Sequence, residues 1–118
     1  MDNSRMNERT PIRRAFDDSI AKVPTADGKR FATIFEHGTL SVEIYAPRGT
    51  DAQKPHTRDE GYIVAHGTGT FLCGGRREQF APGDFLFAAA GVEHRFENFS
   101  DDFAVWVIFY GPEGGEQP

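Results

Sequence analysis

Four histidines, His37, His56, His66 and His94, and a single cysteine, Cys73, are the side chains here most suited to metal binding or nucleophilic chemistry. His94 is the most informative. In Glu93-His94-Arg95-Phe96-Glu97-Asn98 every odd position is charged, which marks a solvent face. In an extended strand His94, Phe96 and Asn98 then point the other way, inward. An inward imidazole needs a partner, because an unpaired buried polar group is costly. A carbonyl would serve, and so would a metal ion. A second cluster, Lys54-Pro55-His56-Thr57-Arg58-Asp59-Glu60, places an imidazole and a carboxylate four residues apart. On a helix that spacing shares one face, but Pro55 before it and the apolar Gly61-Tyr62-Ile63-Val64 after it argue for a strand. Fully extended, His56 and Glu60 would stand ~13 Å apart, so they converge only if Thr57-Arg58-Asp59 bends sharply. The plainer alternative is a solvated charged loop. Together, two imidazoles and a carboxylate from two strands suit a divalent transition metal with coordination positions left open for substrate.

The remaining candidates carry less chemistry. Cys73 lies inside an apolar strand and reads as a small buried hydrophobe. His37 stands beside Gly38 in a turn, and His66 at a strand end before Gly67. If Glu60 faces inward, Tyr62 shares its face by period two, lining a cavity or packing in the core. Gly67-Thr68-Gly69 is a hairpin turn with no helix behind it, so no phosphate loop is implied, and no Gly-x-Ser-x-Gly elbow occurs.

The elements that must position these residues are short. Thr10 as N-cap, Pro11 at the first helical position and Ile12, Ala15, Phe16, Ile20 and Val23 at helical spacing predict an amphipathic helix over 11–23. After residue 30 the period becomes two. Leu40, Val42 and Ile44 alternate with Ser41, Glu43 and Tyr45, and further strands are expected over 61–65, 70–73, 76–80, 85–88, 93–99 and 104–110. Gly74-Gly75 marks a tight hairpin. About eight strands without crossover helices indicate an all-β antiparallel sandwich or barrel. The expected organisation is an N-terminal extension over 1–30, one barrel over 31–110 and a flexible tail over 111–118.

Composition narrows the partners. With 118 residues the chain is the size of one domain, and a net charge of −5 leaves no basic stripe for nucleic acid. The longest apolar runs, 85–92 and 103–110, are far shorter than the ~18 residues of a membrane span. No signal peptide is apparent at Met1-Asp2-Asn3-Ser4-Arg5, and one cysteine excludes an internal disulfide framework, so a cytoplasmic protein is expected.

Two spaced motifs then resemble the cupin superfamily. Gly83, Ala89-Ala90-Gly91, His94 and Asn98 are similar to the second cupin motif, lacking only the proline usual at the Ala89 position. Gly49, His56, Glu60 and Gly67 are similar to the first, with Lys54 where the first histidine of a His-x-His pair usually stands. A charged lysine is no ligand. The resemblance, over about residues 31–110, implies a double-stranded β-helix (jelly-roll) barrel with one short N-terminal helix. It implies His56, Glu60 and His94 as ligands of one divalent transition metal (iron, manganese, zinc or nickel), with Gln53 as a possible fourth. Tyr62, Phe96 and Asn98 would line the pocket. A metal-dependent, dioxygenase-like oxidoreductase acting on a small molecule follows most directly. A sugar isomerase or epimerase and a non-catalytic binding or sensing module remain as alternatives. Open sheet edges, and the habit of the family, imply a homodimer.

Overall fold

Period-two alternation resolves into eight strands, all antiparallel to their neighbours, in a computed structural model that describes residues 11–118. In chain order they are β1 (Phe31–His37), β2 (Leu40–Tyr45), β3 (Asp59–His66), β4 (Gly69–Cys73), β5 (Arg76–Phe80), β6 (Phe85–Ala88), β7 (His94–Glu97) and β8 (Ala104–Tyr110). One sheet has the order β1-β2-β8-β3-β6 and the other β5-β4-β7. They face each other as a jelly-roll, and the hydrogen-bond ladders do not run from one sheet into the other.

Aromatic residues fill the space between the sheets. From the large sheet come Tyr62, Val64, Val105 and Val107; from the small one come Phe71, Phe80 and Phe96. Phe103, from the turn before β8, closes one end. Tyr62 stands edge-on to Phe71 and Phe96 at 5.6 and 5.1 Å between ring centroids, and Phe96 meets Phe103 at 4.7 Å. Each such ring contributes roughly 1.5–3 kcal/mol by leaving water. Gly67 is required where β3 turns into β4. Its φ of +88° lies in the left-handed region, and a Cβ there would come within 2.6 Å of the Phe103 Cα.

The register places two kinds of residue on β2. Ser41, Glu43 and Tyr45 pair across to Phe109, Val107 and Val105. These in turn pair with Glu60, Tyr62 and Val64 of β3, so all nine share the inner face. Ile44 lies on the outer face beside Trp106 and is fully buried. The N-terminal segment covers part of this outer face, Phe16 stacking on His66 at 4.7 Å and meeting Trp106 at 6.3 Å.

Three local expectations change. The helix α1 spans only Phe16–Ile20, with Ala15 as an N-cap that offers no side-chain hydrogen bond. Pro11 lies outside it, and Thr10 falls outside the described residues. A short helix is stable only where its apolar face docks, and Ile12, in the expected first turn, stays 48% exposed. Second, β7 ends at Glu97. Asn98 adopts φ +50°, which interrupts the alternation and leaves its side chain exposed rather than inward. Third, the 111–118 tail is tied down. Gly114 N–H donates to the Thr57 carbonyl at 2.7 Å and Glu116 N–H to Asp59 Oδ2 at 2.8 Å. Among the described residues no helix is long and apolar enough to cross a membrane.

Candidate functional site

His56, Glu60 and His94 come together at one point. The bend required of Thr57-Arg58-Asp59 is present, and His56 Nδ1 lies 2.9 Å from Glu60 Oε1. His94 Nε2, from the opposite sheet, lies 2.6 Å from the same oxygen. One ligand atom from each residue falls within 4.8 Å of the others. The bend is held from two sides. Gly91 N–H donates to the His56 carbonyl at 2.8 Å, and Asp59 accepts from Ala90 N–H at 2.9 Å as well as from Glu116 in the tail.

Electrostatics act on Glu60 and His94 in opposite directions. Burial pushes the Glu60 carboxyl up, but His56 and His94 outweigh that and bring its pKa down to about 2. Burial disfavours the His94 imidazolium. The Glu60 carboxylate and the Val92 carbonyl, 2.8 Å from Nδ1, more than compensate and raise its pKa. The triad is nevertheless incomplete. Glu60 Oε2 is buried without a hydrogen-bond partner, and His94 Nε2 approaches Oε1 at an angle that makes no hydrogen bond. Buried polar atoms are rarely left so. Lone pairs converging on one point, with two atoms orphaned, fit a cation.

A cavity of about 630 Å³ adjoins the triad, within the usual 300–1,000 Å³ of small-molecule sites. His56 is the triad member that lines it. Glu60 and His94 lie behind, each no more than 2% exposed. The remaining wall comes from the inner face of β2 and β8 and from the 47–58 loop: Glu43, Tyr45, Gln53, Val107 and Phe109 among them.

The Cupin domain family profile matches residues 41–110, more than half of the chain. The chain is a cupin. An uncharacterized protein of Streptomyces coelicolor is 34% identical over 98 residues, covering 81% of this chain and 93% of its own. The fold is similar to that of a cupin-2 domain protein from Shewanella frigidimarina, at TM-score 0.64 and 18% identity over 83% of this cupin and 94% of that chain. It is also similar to a Ralstonia eutropha protein provisionally named a mannose-6-phosphate isomerase, at TM-score 0.61 and 23% identity over 86% and 100% of the two chains.

The other expected site residues are distributed differently. Lys54 is exposed and outside the cavity wall, so it neither fills the site nor pairs with Glu60. Gln53 lines the cavity, donating from Nε2 to Asp51 Oδ2 at 2.7 Å and accepting from the Tyr62 hydroxyl at 3.3 Å. Tyr62 and Phe96 belong to the core behind the wall. Asn98 lines a separate shallow cleft with Thr68 and Gln79. Burial, with Glu60 next in weight, holds the Cys73 thiol in its protonated form, consistent with a packing role.

Sequence reasoning missed Asp51 and Glu43. Asp51 accepts from the Tyr45 hydroxyl, from Gln53 N–H at 3.1 Å and from Phe96 N–H at 2.8 Å, joining the loop to both sheets. Glu43 is half-buried in the cavity wall, and burial raises its pKa. The period-two pattern of β2 was the available signal for Glu43, once its polar face is placed inside.

Because the tail braces the ligand loop, deleting residues 112–118 is expected to weaken metal binding by roughly 10-fold, the lower end for loss of an outer-shell support. Competition with a chromophoric chelator measures this. An unchanged affinity would show that the loop keeps its bend without the tail.

Proposed function

We propose that this cupin is a metal-dependent enzyme, an oxidoreductase of the dioxygenase-like kind, whose small-molecule substrate occupies the cavity beside His56. The reading is carried by the convergence of His56 Nδ1 and His94 Nε2 on Glu60 Oε1, at 2.9 and 2.6 Å, with the second carboxylate oxygen, Oε2, buried and without a partner. Bound there, iron, manganese, zinc or nickel would supply Lewis acidity, and iron the redox chemistry of oxygen insertion, with coordination positions left free.

The protein residues do the rest. Glu60 stays ionised across the physiological range, which supplies the negative charge. The Val92 carbonyl accepts from His94 Nδ1–H, fixing the tautomer whose Nε2 lone pair faces the site. Gln53 Oε1 has a second lone pair beyond the one used by Tyr62 and would serve as a fourth donor. Val107 and Phe109 provide apolar wall that limits water. Growth with added iron, manganese, zinc and nickel followed by elemental analysis tests the reading. About one equivalent of one metal is expected, and well under one of any would refute it.

Glu43 supports a second reading. An isomerase or epimerase needs a base other than the metal ligands, and Glu43 is a carboxyl lining the same cavity. Its raised pKa moves it toward the range useful for proton transfer. The name given to the Ralstonia eutropha neighbour accords with sugar chemistry. Oxygen uptake with a candidate substrate favours the first reading. Deuterium exchange at a substrate C–H in D₂O, lost in Glu43→Gln, favours the second.

A homodimer also belongs to this proposal. Strand β6 ends the large sheet and leaves Phe85 61% and Phe87 43% exposed. An open edge carrying two exposed phenyl rings is suited to pairing. Light scattering is expected to give twice 13.1 kDa, and a mass of 13.1 kDa at micromolar concentration would exclude it.

A further inference from the structure

Although the chain as a whole carries a net charge of −5, the cavity wall has the opposite balance. Arg30, Arg48 and Arg58 line it, against a single carboxylate, Glu43. Arg58 donates from Nη1 to the carbonyls of Thr39, in the β1–β2 turn, and Gly111, after β8. Arg30 and Arg48 are arranged differently. Both guanidiniums are anchored on one carbonyl, that of the buried Ala46. Arg30 Nε donates to it at 2.7 Å and Arg48 Nη1 at 3.3 Å. Arg48 Nη1 also donates to the carbonyls of Pro47 at 2.9 Å and Phe103 at 3.2 Å.

Those bonds use Nε of one fork and Nη1 of the other. The two Nη groups of Arg30, and Nε and Nη2 of Arg48, have no hydrogen-bond partner among the described residues. Nor does either guanidinium form an ion pair with a carboxylate among them. Asp51, the nearest acid in the same loop, is taken up by Tyr45, Gln53 and Phe96. Two cations fixed side by side repel each other, and the effect is visible on Arg30, whose pKa is lowered by burial and then by Arg48. A pair anchored on one carbonyl, with donors left over and both side chains lining a cavity, offers the fork-shaped donors that bind a carboxylate or phosphate.

We propose that Arg30 and Arg48 form a binding site for the anionic group, a carboxylate or a phosphate, of a small organic ligand in the cavity. The pair lies at the far end of β2 from the metal triad. Glu60 is level with Phe109 and Ser41 across the sheet, and Ala46 follows five residues after Ser41, about 17 Å along the strand. Phe31, Tyr45, Val107 and Phe109 contribute apolar wall between the two ends. The ligand is therefore an elongated organic anion, bound by its charge at one end and presenting its reactive end toward His56. This rests on the reading of the cavity as a substrate site and is independent of the metal.

Isothermal titration calorimetry on the full chain, freed of metal by chelation, tests it with phenyl phosphate, benzoate and the neutral benzyl alcohol. One anion at least is expected to bind saturably at one site per chain, and the tighter of the two identifies the charged group. Benzyl alcohol should bind at least about tenfold more weakly, as should either anion to Arg30→Gln or Arg48→Gln, the loss of one charge-assisted contact. Arg77→Gln, which alters an exposed arginine outside the cavity that pairs with Glu97 on the small sheet, should bind like the parent. Arg48 holds three carbonyls, so if Arg48→Gln does not fold, Arg30→Gln decides the matter. Arg30→Lys should recover part of the affinity by keeping the charge. Equal binding of anion and alcohol, no binding of either anion at millimolar concentration, or an unaltered Arg30→Gln would overturn the proposal. Elemental analysis showing no metal leaves these outcomes unchanged, so the two readings fail separately.

Discussion

Replacing His94 by alanine or by glutamine is expected to strip the metal while the jelly-roll persists. His94 contributes the one ligand from the small sheet, and its Nε2 is already oriented by the Val92 carbonyl. Its cross-strand partner on β4 is Cys73, whose thiol is held protonated by burial and then by Glu60 and so is a poor replacement for an imidazole. The affinity should fall by more than ~100-fold, beyond the 10- to 100-fold that loss of an outer-shell partner produces. The two variants separate metal from packing. Alanine opens a void among Tyr62, Phe71 and Phe96 and leaves Glu60 ionised, buried and less well paired, so it should also lower the melting temperature. Glutamine keeps most of the volume and should lower it less. A full equivalent of metal retained by His94→Gln, measured on folded protein, would end the case for this site.

The second large effect is a reversal of pH dependence between the metal-free and metal-loaded protein. Without metal, the Glu60 carboxyl sits at about 2, below its ordinary 4.5, so its contribution is complete above 4.5 and is lost as pH falls toward 2. The His94 pKa is raised above its ordinary 6.5. Its contribution is complete below 6.5 and is lost as pH climbs through the raised value. The pair therefore stabilises the metal-free fold most between pH 4.5 and 6.5. Metal binding requires the neutral imidazole of His94, so it is opposed in that same window. Each proton displaced makes the apparent affinity climb by up to about tenfold per pH unit until the imidazole is fully deprotonated. Melting temperatures from pH 5 to 9, taken as parent minus His94→Gln, should decline with pH in chelator and rise with pH in excess metal. Parallel trends in the two conditions would contradict the assignment.

The elements that could be read from sequence are those whose signals are local. Gly74-Gly75 sits between β4 and β5 where a two-glycine hairpin was expected, and 76–80, 85–88 and 104–110 match their strands to the residue. The charged odd positions of Glu93–Glu97 correctly turned His94 and Phe96 inward. The same rule failed one step later, at Asn98, because alternation holds only while φ stays extended, and a single residue at +50° ends it. Helical spacing over 11–23 overstated α1 for a different reason. Apolar periodicity shows which face would dock, whereas the length of the docking surface is a property of the sheet beneath.

The residue types of the candidate metal site and the number of strands were determined by the sequence itself. Imidazoles and carboxylates carry their chemistry wherever they are placed, and a two-residue period is a backbone property. What only the tertiary structure decided is where these groups meet and which faces are inside. His56 and Glu60 could have stood ~13 Å apart. They meet at 2.9 Å because Gly91, Gly114 and Glu116 hold the intervening loop by backbone hydrogen bonds from distant parts of the chain. Strand β2 is the sharper case. Its alternation of Leu40, Val42 and Ile44 with Ser41, Glu43 and Tyr45 suggests an apolar inside and a polar outside. The folded chain buries Ile44 on the outer face and turns Ser41, Glu43 and Tyr45 toward the cavity. A period of two states that the faces differ. Which one becomes the interior depends on what covers each, and here the interior holds a cavity whose residues come from three stretches of chain, 30–31, 41–58 and 107–109.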